Sequence, residues 1–321
     1  MRTLHPLLNS DPPDPMAIPH LAVIAPCYNE GDVAIRFVEE LEQIIAVLPI
    51  TATIVVMDDA STDGTMALLS SISTRAPNVT FKALSLPYNM GHQEAIYQGL
   101  LFASTTSAQH FIVMDSDGED DPKALAELVQ HVGAPIVLVA RGKRSESLFF
   151  RLGYWGYRKV FRAFTGRSIT FGNFSMIDRQ VLGAVLDRSF IHYAAFLSRQ
   201  KARTEIITYD RRKRLDGHSK MSFKSLSYHA FRSLIEYSEE VLSMFLKVLL
   251  ALSGIFLCSI LMIMAIKLFT DEAIPGWAST LILSMFNSML LCVGFFAIGL
   301  LLVNTSQRKE RAGKHLYRSV S

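Results

Sequence analysis

Two uncharged runs near the C-terminal end constrain this chain more than any other feature. Val248–Ile266 is an uncharged run of 19 residues, and Ala278–Val303 is a second one, interrupted only by Asn287 and small hydroxyl residues. An α-helix of about 20 apolar residues crosses a hydrocarbon core of ~30 Å, and each Leu or Ile favours insertion by a few tenths of a kcal/mol. Helices of this length and composition are expected in a bilayer rather than in a soluble core. The whole chain agrees: of 321 residues, 50% are hydrophobic and 19% charged, and the mean hydropathy is +0.26. The connector Phe269–Trp277 holds Asp271 and Glu272 but no base. The segment after Val303 holds Arg308, Lys309, Arg311, Lys314 and Arg318. Basic flanks stay in the cytosol, so a multi-pass protein of the inner (plasma) membrane is expected, with both chain ends cytosolic.

The N-terminal part has a different grammar. Residues 1–20, with Pro6, Pro12, Pro13, Pro15 and Pro19, read as a loose tail without a secretory signal. From residue 21, apolar β-rich runs alternate with helical patterns. Leu21–Pro26, Thr53–Met57, Val79–Leu84, His110–Met114 and Pro135–Ala140 read as strands, with helices near Asp32–Val47, Asp63–Ser73, Gly91–Ala103 and Pro122–His131. Such alternation predicts a mostly parallel sheet with helices on both faces, and in these sheets ligands bind beyond the carboxyl ends of the strands.

Polar clusters sit at those ends. They are Pro26-Cys27-Tyr28-Asn29-Glu30, Asp58-Asp59, Asn89-Met90-Gly91 and Asp115-Ser116-Asp117. The last is the sharpest. An apolar strand cannot bury two unpaired carboxylates, so Asp115 and Asp117 must face water or a cation at its exit. At positions i and i+2 they share one side of an extended segment. Hard oxygen ligands in that arrangement suit Mg²⁺ or Mn²⁺ with substrate phosphates completing the shell. Taken alone, the pair is better explained as a solvated strand-end turn.

Further along, residues 141–224 are rich in arginine and lysine. From Phe223 to Lys247 the pattern is helical and amphipathic, as in a core-packing helix or one lying at the headgroup level. The three cysteines, Cys27, Cys258 and Cys292, are too few and too scattered for a disulfide framework or a zinc site. Nucleic-acid binding is not expected, because the basic blocks flank membrane segments and lack interleaved stacking aromatics.

Taken together and in order, these clusters resemble the membrane-anchored family 2 glycosyltransferases of the polyprenyl-phosphate (dolichol-phosphate) group. The residues that carry the resemblance are Ala25–Glu30, Asp58–Thr65, Asn89–His92, Asp115–Asp117 and Arg214–Lys220, and it runs from residue 21 to about 305. It implies a GT-A type, Rossmann-like mixed sheet flanked by helices, followed by an amphipathic interfacial helix and two transmembrane helices. The implied domains are a tail at 1–20, a cytosolic transferase domain at 21–222, a juxtamembrane helix at 223–247, two spans at 248–305 and a basic tail at 306–321. It further implies an inverting transfer of a hexose from a nucleotide sugar donor to a polyprenyl phosphate, with undecaprenyl as the expected carrier.

By the same resemblance, Pro26, Tyr28, Glu30, Asp58, Asp59, Asn89, Gly91 and Asp115 form the nucleotide-sugar site. Asp117 binds the metal, Asp115 shares the field, and Glu119 either joins the coordination shell or begins the next helix. Asp115, Asp117 and Arg214 are the expected catalytic residues. Arg141, Arg151, Arg214 and Lys220 are the candidates for holding the acceptor phosphate, since a guanidinium grips phosphate with two parallel hydrogen bonds. His92 is a sugar contact or a helix-start residue. A homo-oligomer is compatible with this reading. Two alternatives stand beside it. A processive polysaccharide synthase would carry more spans and a Gln-X-X-Arg-Trp motif, where this chain has Gln200-Lys201-Ala202-Arg203-Thr204. A non-catalytic membrane scaffold would have no need of the acidic pair.

Overall fold

The computed structural model describes residues 19–141, 159, 162, 171–188, 190–210, 212, 235–269, 276–308 and 315–319. The chain divides into two compact units. One comprises Met1–Ser145, Thr170–Lys220 and Ala312–Ser321; the other comprises Glu146–Ile169 and Met221–Arg311.

The first unit is α/β. In chain order it contains β1 (His20–Cys27), α1 (Asp32–Ala46), β2 (Thr51–Asp58), α2 (Thr65–Ser70), β3 (Val79–Ser85), α3 (His92–Ala103), β4 (His110–Val113), α4 (Ala124–Leu128) and β5 (Ile136–Arg141). Then come β6 (Phe171–Asp178), α5 (Arg179–Arg188), α6 (Tyr193–Arg199), β7 (Thr204–Tyr209) and, at the far end of the chain, β8 (Arg318–Ser319). The eight strands form one sheet in the order β7-β5-β6-β4-β1-β2-β3-β8. Pairing among β4, β1, β2 and β3 is parallel, and β6 enters antiparallel between β4 and β5.

Alternation along β1 shows why both faces are covered. Leu21, Val23 and Ala25 point into a core shared with Phe37, Val38 and Leu41 of α1 and Leu125 and Leu128 of α4. Ala22 and Ile24 point the other way, into a core with Ile96, Tyr97 and Leu100 of α3 and Val181, Val185, Tyr193 and Phe196. A strand buried on both faces reads as a continuous apolar run rather than an alternating one.

Five strands follow the sequence reading within a residue or two. β6, β7 and β8 were not expected. β6 runs through Gly172 and Asn173, which weaken an apolar strand pattern, β7 lies inside the basic region, and β8 is two residues long.

The second unit contains two 32-residue helices, α7 (Ser238–Phe269) and α8 (Trp277–Arg308). Within them, Ser238–Phe269 and Ala278–Leu302 are long and apolar enough to cross a membrane. The two helices pack on each other: a Cβ on Gly299 would lie 3.3 Å from Leu242 Cδ1. Their remaining surface is unusually greasy, with Leu250, Met262, Phe269, Leu291, Phe295 and Leu302 all more than half exposed. Ser238–Lys247, the end of the expected amphipathic segment, is continuous with α7, and its beginning at 223–234 lies outside the described residues.

Candidate active site

The site is assembled at the carboxyl ends of β1, β2, β3 and β4. Register makes this unavoidable: Cys27 pairs with Asp58, Asp58 with Ser85, and Ile24 with Val113, so the loops leaving all four strands start on one edge.

The loop after β1 is folded against the loop after β2. Asn29 and Gly31 adopt left-handed backbone conformations, with φ of 53° and 50°. These are held by donation from the Asn29 N–H to Ser61 Oγ at 2.8 Å, from the Thr62 N–H to Asn29 Oδ1 at 2.8 Å, and from the Gly31 N–H to Thr65 Oγ1 at 2.8 Å. Asn tolerates such angles better than most side-chain-bearing residues, because its amide can bond locally. Tyr28, at the turn, stays 39% exposed. Pro26 is fixed from the other side, where its carbonyl accepts from the buried Ser116 hydroxyl at 2.8 Å. Glu30 closes the start of α1, its carbonyl accepting from the Val33 N–H at 3.0 Å.

Asp58 and Asp59 are both buried, and both carboxylates are hydrogen-bonded within the protein. The Asp58 carboxylate accepts from Ser61, through both its N–H and its hydroxyl, and from the Ser85 hydroxyl at 3.2 Å. The Asp59 carboxylate accepts one backbone N–H on each oxygen, from Met90 at 2.7 Å and from Gly91 at 2.9 Å. Burial still raises the Asp59 carboxyl above the usual carboxylate range, the two N–H bonds opposing it. Gly91 has φ of 92°, which orients its N–H toward Asp59 and begins α3. Asn89 lies in the same loop.

The acidic pair follows β4. The Asp115 N–H donates to Asp120 Oδ2 at 3.0 Å, and Asp117 Oδ1 accepts from the Glu119 N–H at 2.9 Å. His92, the first residue of α3, reaches across: its Nε2 lies 3.4 Å from Asp115 Oδ1. The side-chain amide of Asn173, on β6, lies 2.9 Å from the same nitrogen. Burial pulls the His92 imidazole down, but the hydrogen bond and charge of Asp115, with Asp117 and Asp59 behind them, outweigh it and hold its pKa above the ordinary value. Four parts of the chain therefore meet within one electrostatic field: the loop after β2 through Asp59, α3 through His92, the loop after β4, and β6 through Asn173.

Among the described residues, no three His, Cys, Asp or Glu side chains converge as a ready-made metal centre. The donor set nonetheless suits a hard divalent cation that takes one or two carboxylates from the protein and the rest from phosphates and water. Glu119 is engaged through its backbone, with its carbonyl accepting from the Arg212 N–H at 2.9 Å, and it lines a small recess with Asp120, Asp121, Phe174 and Tyr209.

The basic residues divide. Arg141 ends β5, beside Tyr209 of β7, and nothing is described of its side chain. Arg151, Arg214 and Lys220 lie outside the described residues. Arg212 grips Glu40 of α1 through both terminal nitrogens, at 2.6 and 2.9 Å, and so staples the segment after β7 to α1. Three supporting residues escaped the sequence reading. Asp120 was visible as part of the run Glu119–Asp121, Ser85 carried no signal beyond its place at a strand end, and Asn173 sits on a strand that was not read.

A mixed α/β sheet with helices on both faces and an acid-rich carboxyl edge defines a GT-A type of fold. The model of "Glycosyl transferase family 2" matches residues 22–186, more than half of the chain, and the chain belongs to that family. Among similar proteins, a "Bactoprenol glucosyl transferase" of Shigella phage SfX is 24% identical over 291 residues, covering 87% of this chain and 92% of that protein. An "Undecaprenyl-phosphate 4-deoxy-4-formamido-L-arabinose transferase" of Yersinia enterocolitica serotype O:8 is 26% identical over 299 residues, 88% of this chain and 87% of that protein. Among solved structures, glucosyl-3-phosphoglycerate synthase from Mycobacterium tuberculosis, in complex with uridine diphosphate, superposes with a TM-score of 0.50 at 15% identity over 70% of this chain and 80% of that one. That likeness establishes the GT-A fold of the first unit.

Proposed function

We propose that this protein transfers a hexose from a nucleotide diphospho-sugar to a polyprenyl phosphate at the cytosolic face of a membrane, with inversion at the anomeric carbon. The observation that carries the proposal is the meeting of Asp115, His92 and Asp59 beyond the carboxyl edge of the sheet, in a family 2 chain that also bears two bilayer-length helices. The names of the two similar transferases, one for bactoprenol and one for undecaprenyl phosphate, support a lipid phosphate as acceptor.

In this reading Pro26, Tyr28, Glu30, Asp58, Asp59, Asn89 and Gly91 line the nucleoside and ribose end of the donor. Asp115 and Asp117, with Glu119 beside them, are the residues that would hold Mg²⁺ or Mn²⁺. A cation there supplies Lewis-acid stabilisation of the departing nucleoside diphosphate. His92, held by Asp115 and Asn173, keeps the acidic pair aimed at the donor. The acceptor needs no general base, because a phosphate monoester with a second pKa of ~6 is already mostly dianionic near neutrality. One of its oxygens bonds to the anomeric carbon as the bond from that carbon to the diphosphate oxygen breaks, and the leaving nucleoside diphosphate takes the electron pair. What the acceptor does need is positive charge, for which Arg141, Arg151, Arg214 and Lys220 are the candidates.

The decisive experiment incubates membranes containing the protein with a panel of labelled nucleotide sugars and extracts the lipid product. A labelled polyprenyl phosphosugar that disappears in Asp117→Ala is the expected result. Turnover in that variant should fall by about 10² or more, the scale on which removing a transition-state charge partner acts. A scaffold would form no such product, and a processive synthase would leave label in a polymer. For the acceptor, Arg214→Ala should raise the KM for lipid phosphate while nucleotide binding survives. Equal loss of both would remove Arg214 from that role.

A further inference from the structure

The last described residues of the chain lie on the elements that support the donor carboxylates. β8 pairs antiparallel with β3, Ser85 opposite Arg318 and Leu84 opposite Ser319. The Leu316 N–H donates to Gln98 Oε1 at 3.1 Å, and Gln98 is a residue of α3 only 1% exposed. The Gln98 amide nitrogen in turn donates to Glu94 Oε1 at 3.1 Å, one turn nearer the start of the helix. Tyr317 packs on Val55, Met57, Leu84, Leu86 and Ala95, and meets the Phe102 ring edge-on at 5.6 Å.

A short strand that merely blunts a sheet edge needs none of this. A buried amide aimed at a particular backbone N–H fixes one register, because a slipped register would leave that buried polar group without its partner. The two elements so gripped are those that hold the donor acids. Ser85, opposite Arg318, donates to Asp58, and α3 begins directly after Gly91, whose N–H is bound to Asp59.

We propose that residues 315–319 are a positioning element for the nucleotide site. By closing β3 and bracing α3 through Gln98, they hold Ser85 and the Met90–Gly91 amides where Asp58 and Asp59 require them. The inference rests on the reading of this edge as the donor site and adds a determinant to it from the opposite end of the sequence. Residues 315–319 touch neither donor nor acceptor; they act through β3 and α3.

The test uses the full chain in detergent, a form ending at residue 314, and the substitutions Tyr317→Ala and Tyr317→Phe. Binding of UDP and GDP is measured with Mg²⁺ present, together with donor and acceptor KM and amide hydrogen exchange at Leu316. Truncation and Tyr317→Ala should weaken nucleotide binding by about tenfold, within the range usual for coupled sites, and raise the donor KM with the acceptor KM unchanged. Tyr317→Phe should behave as the parent, and a peptide of residues 312–321 should restore binding to the truncated form. Ile207→Ala, on β7, serves as a destabilised control that lowers Tm without changing nucleotide affinity. Unaltered nucleotide affinity in the truncated form, or a Leu316 amide that exchanges freely in the intact protein, overturns the proposal. Failure of the intact chain to bind either nucleotide overturns instead the donor-site reading beneath it.

Discussion

Gly91 is the residue on which most of the proposed donor edge turns. At φ of 92° its N–H meets Asp59, a backbone geometry that L side chains rarely adopt. Gly91→Ala meets no neighbouring atom, so its cost is conformational, roughly 1–2 kcal/mol. Its expected outcome is a modest fall in Tm with a much larger fall in nucleotide affinity, measured on one preparation. A proportionate loss of both would mean that the amide orientation is unimportant. Asp120 is the comparable residue of the acidic loop, since its carboxylate accepts the Asp115 N–H. Asp120→Ala should lower kcat by at least an order of magnitude while the sheet stays folded, as judged by circular dichroism. His92 carries a linkage sign of its own. With its pKa raised by its acidic neighbours, it contributes stability that is present below the ordinary value of about 6.5 and is lost as pH rises through its folded value.

At the scale of elements, α3 is the most tightly determined piece. Gly99 faces β1, and a Cβ there would lie 2.5 Å from Ile24 Cγ2. Gly99→Ala forces the helix off the sheet and should destabilise the domain by about 1–3 kcal/mol, the usual penalty of overpacking, despite the better helix propensity of Ala. Thermal unfolding of the purified protein measures it, and an unchanged or raised Tm would show that α3 is not seated this closely. The amino ends of β1 and β4 give the pH dependence. His20 lies between Ser107 and Thr53, and burial, with the Arg179 charge, lowers its pKa. His110 bonds the Val132 carbonyl, and burial lowers it too. Both fold as neutral imidazoles. Their contribution is complete above about pH 6.5 and is lost as pH falls from there through their folded values. Tm should drop between pH 7 and pH 5, opposite in sign to His92, and the drop should shrink in the His20→Gln, His110→Gln double variant.

For the whole molecule, chain connectivity bears on topology. Thr170–Lys220 and Ala312–Ser321 belong to one folded unit, with α7 and α8 between them in sequence. If those helices cross a bilayer, the chain must leave and return on the same side, an argument independent of the basic flanking residues. The basic residues Arg308, Lys309, Arg311 and Lys314 choose the cytosolic side, so a tag after Ser321 should be protected from protease in intact cells and cleaved in inverted vesicles. Cleavage in intact cells would overturn the cytosolic orientation. How much was legible follows the range of the forces involved. Strands β1 to β5 and their helices announce themselves through local periodicity. β6 does not, because it is defined by insertion between β4 and β5, whose residues stand far from it in sequence. Asn173 was therefore invisible as a neighbour of His92, as was the grip of Arg212 on Glu40.

The sequence by itself determined the class: the alternation of the first half, the polar strand ends and the two apolar runs are local patterns, and local patterns survive without coordinates. Only the tertiary structure decided which polar groups are already satisfied within the protein. It assigned Asp58 to Ser61 and Ser85, Asp59 to the Met90 and Gly91 amides, and the chain's last strand to β3. Burial converts each polar group into a demand for a specific partner, and that partner is chosen by position in space rather than by distance along the chain.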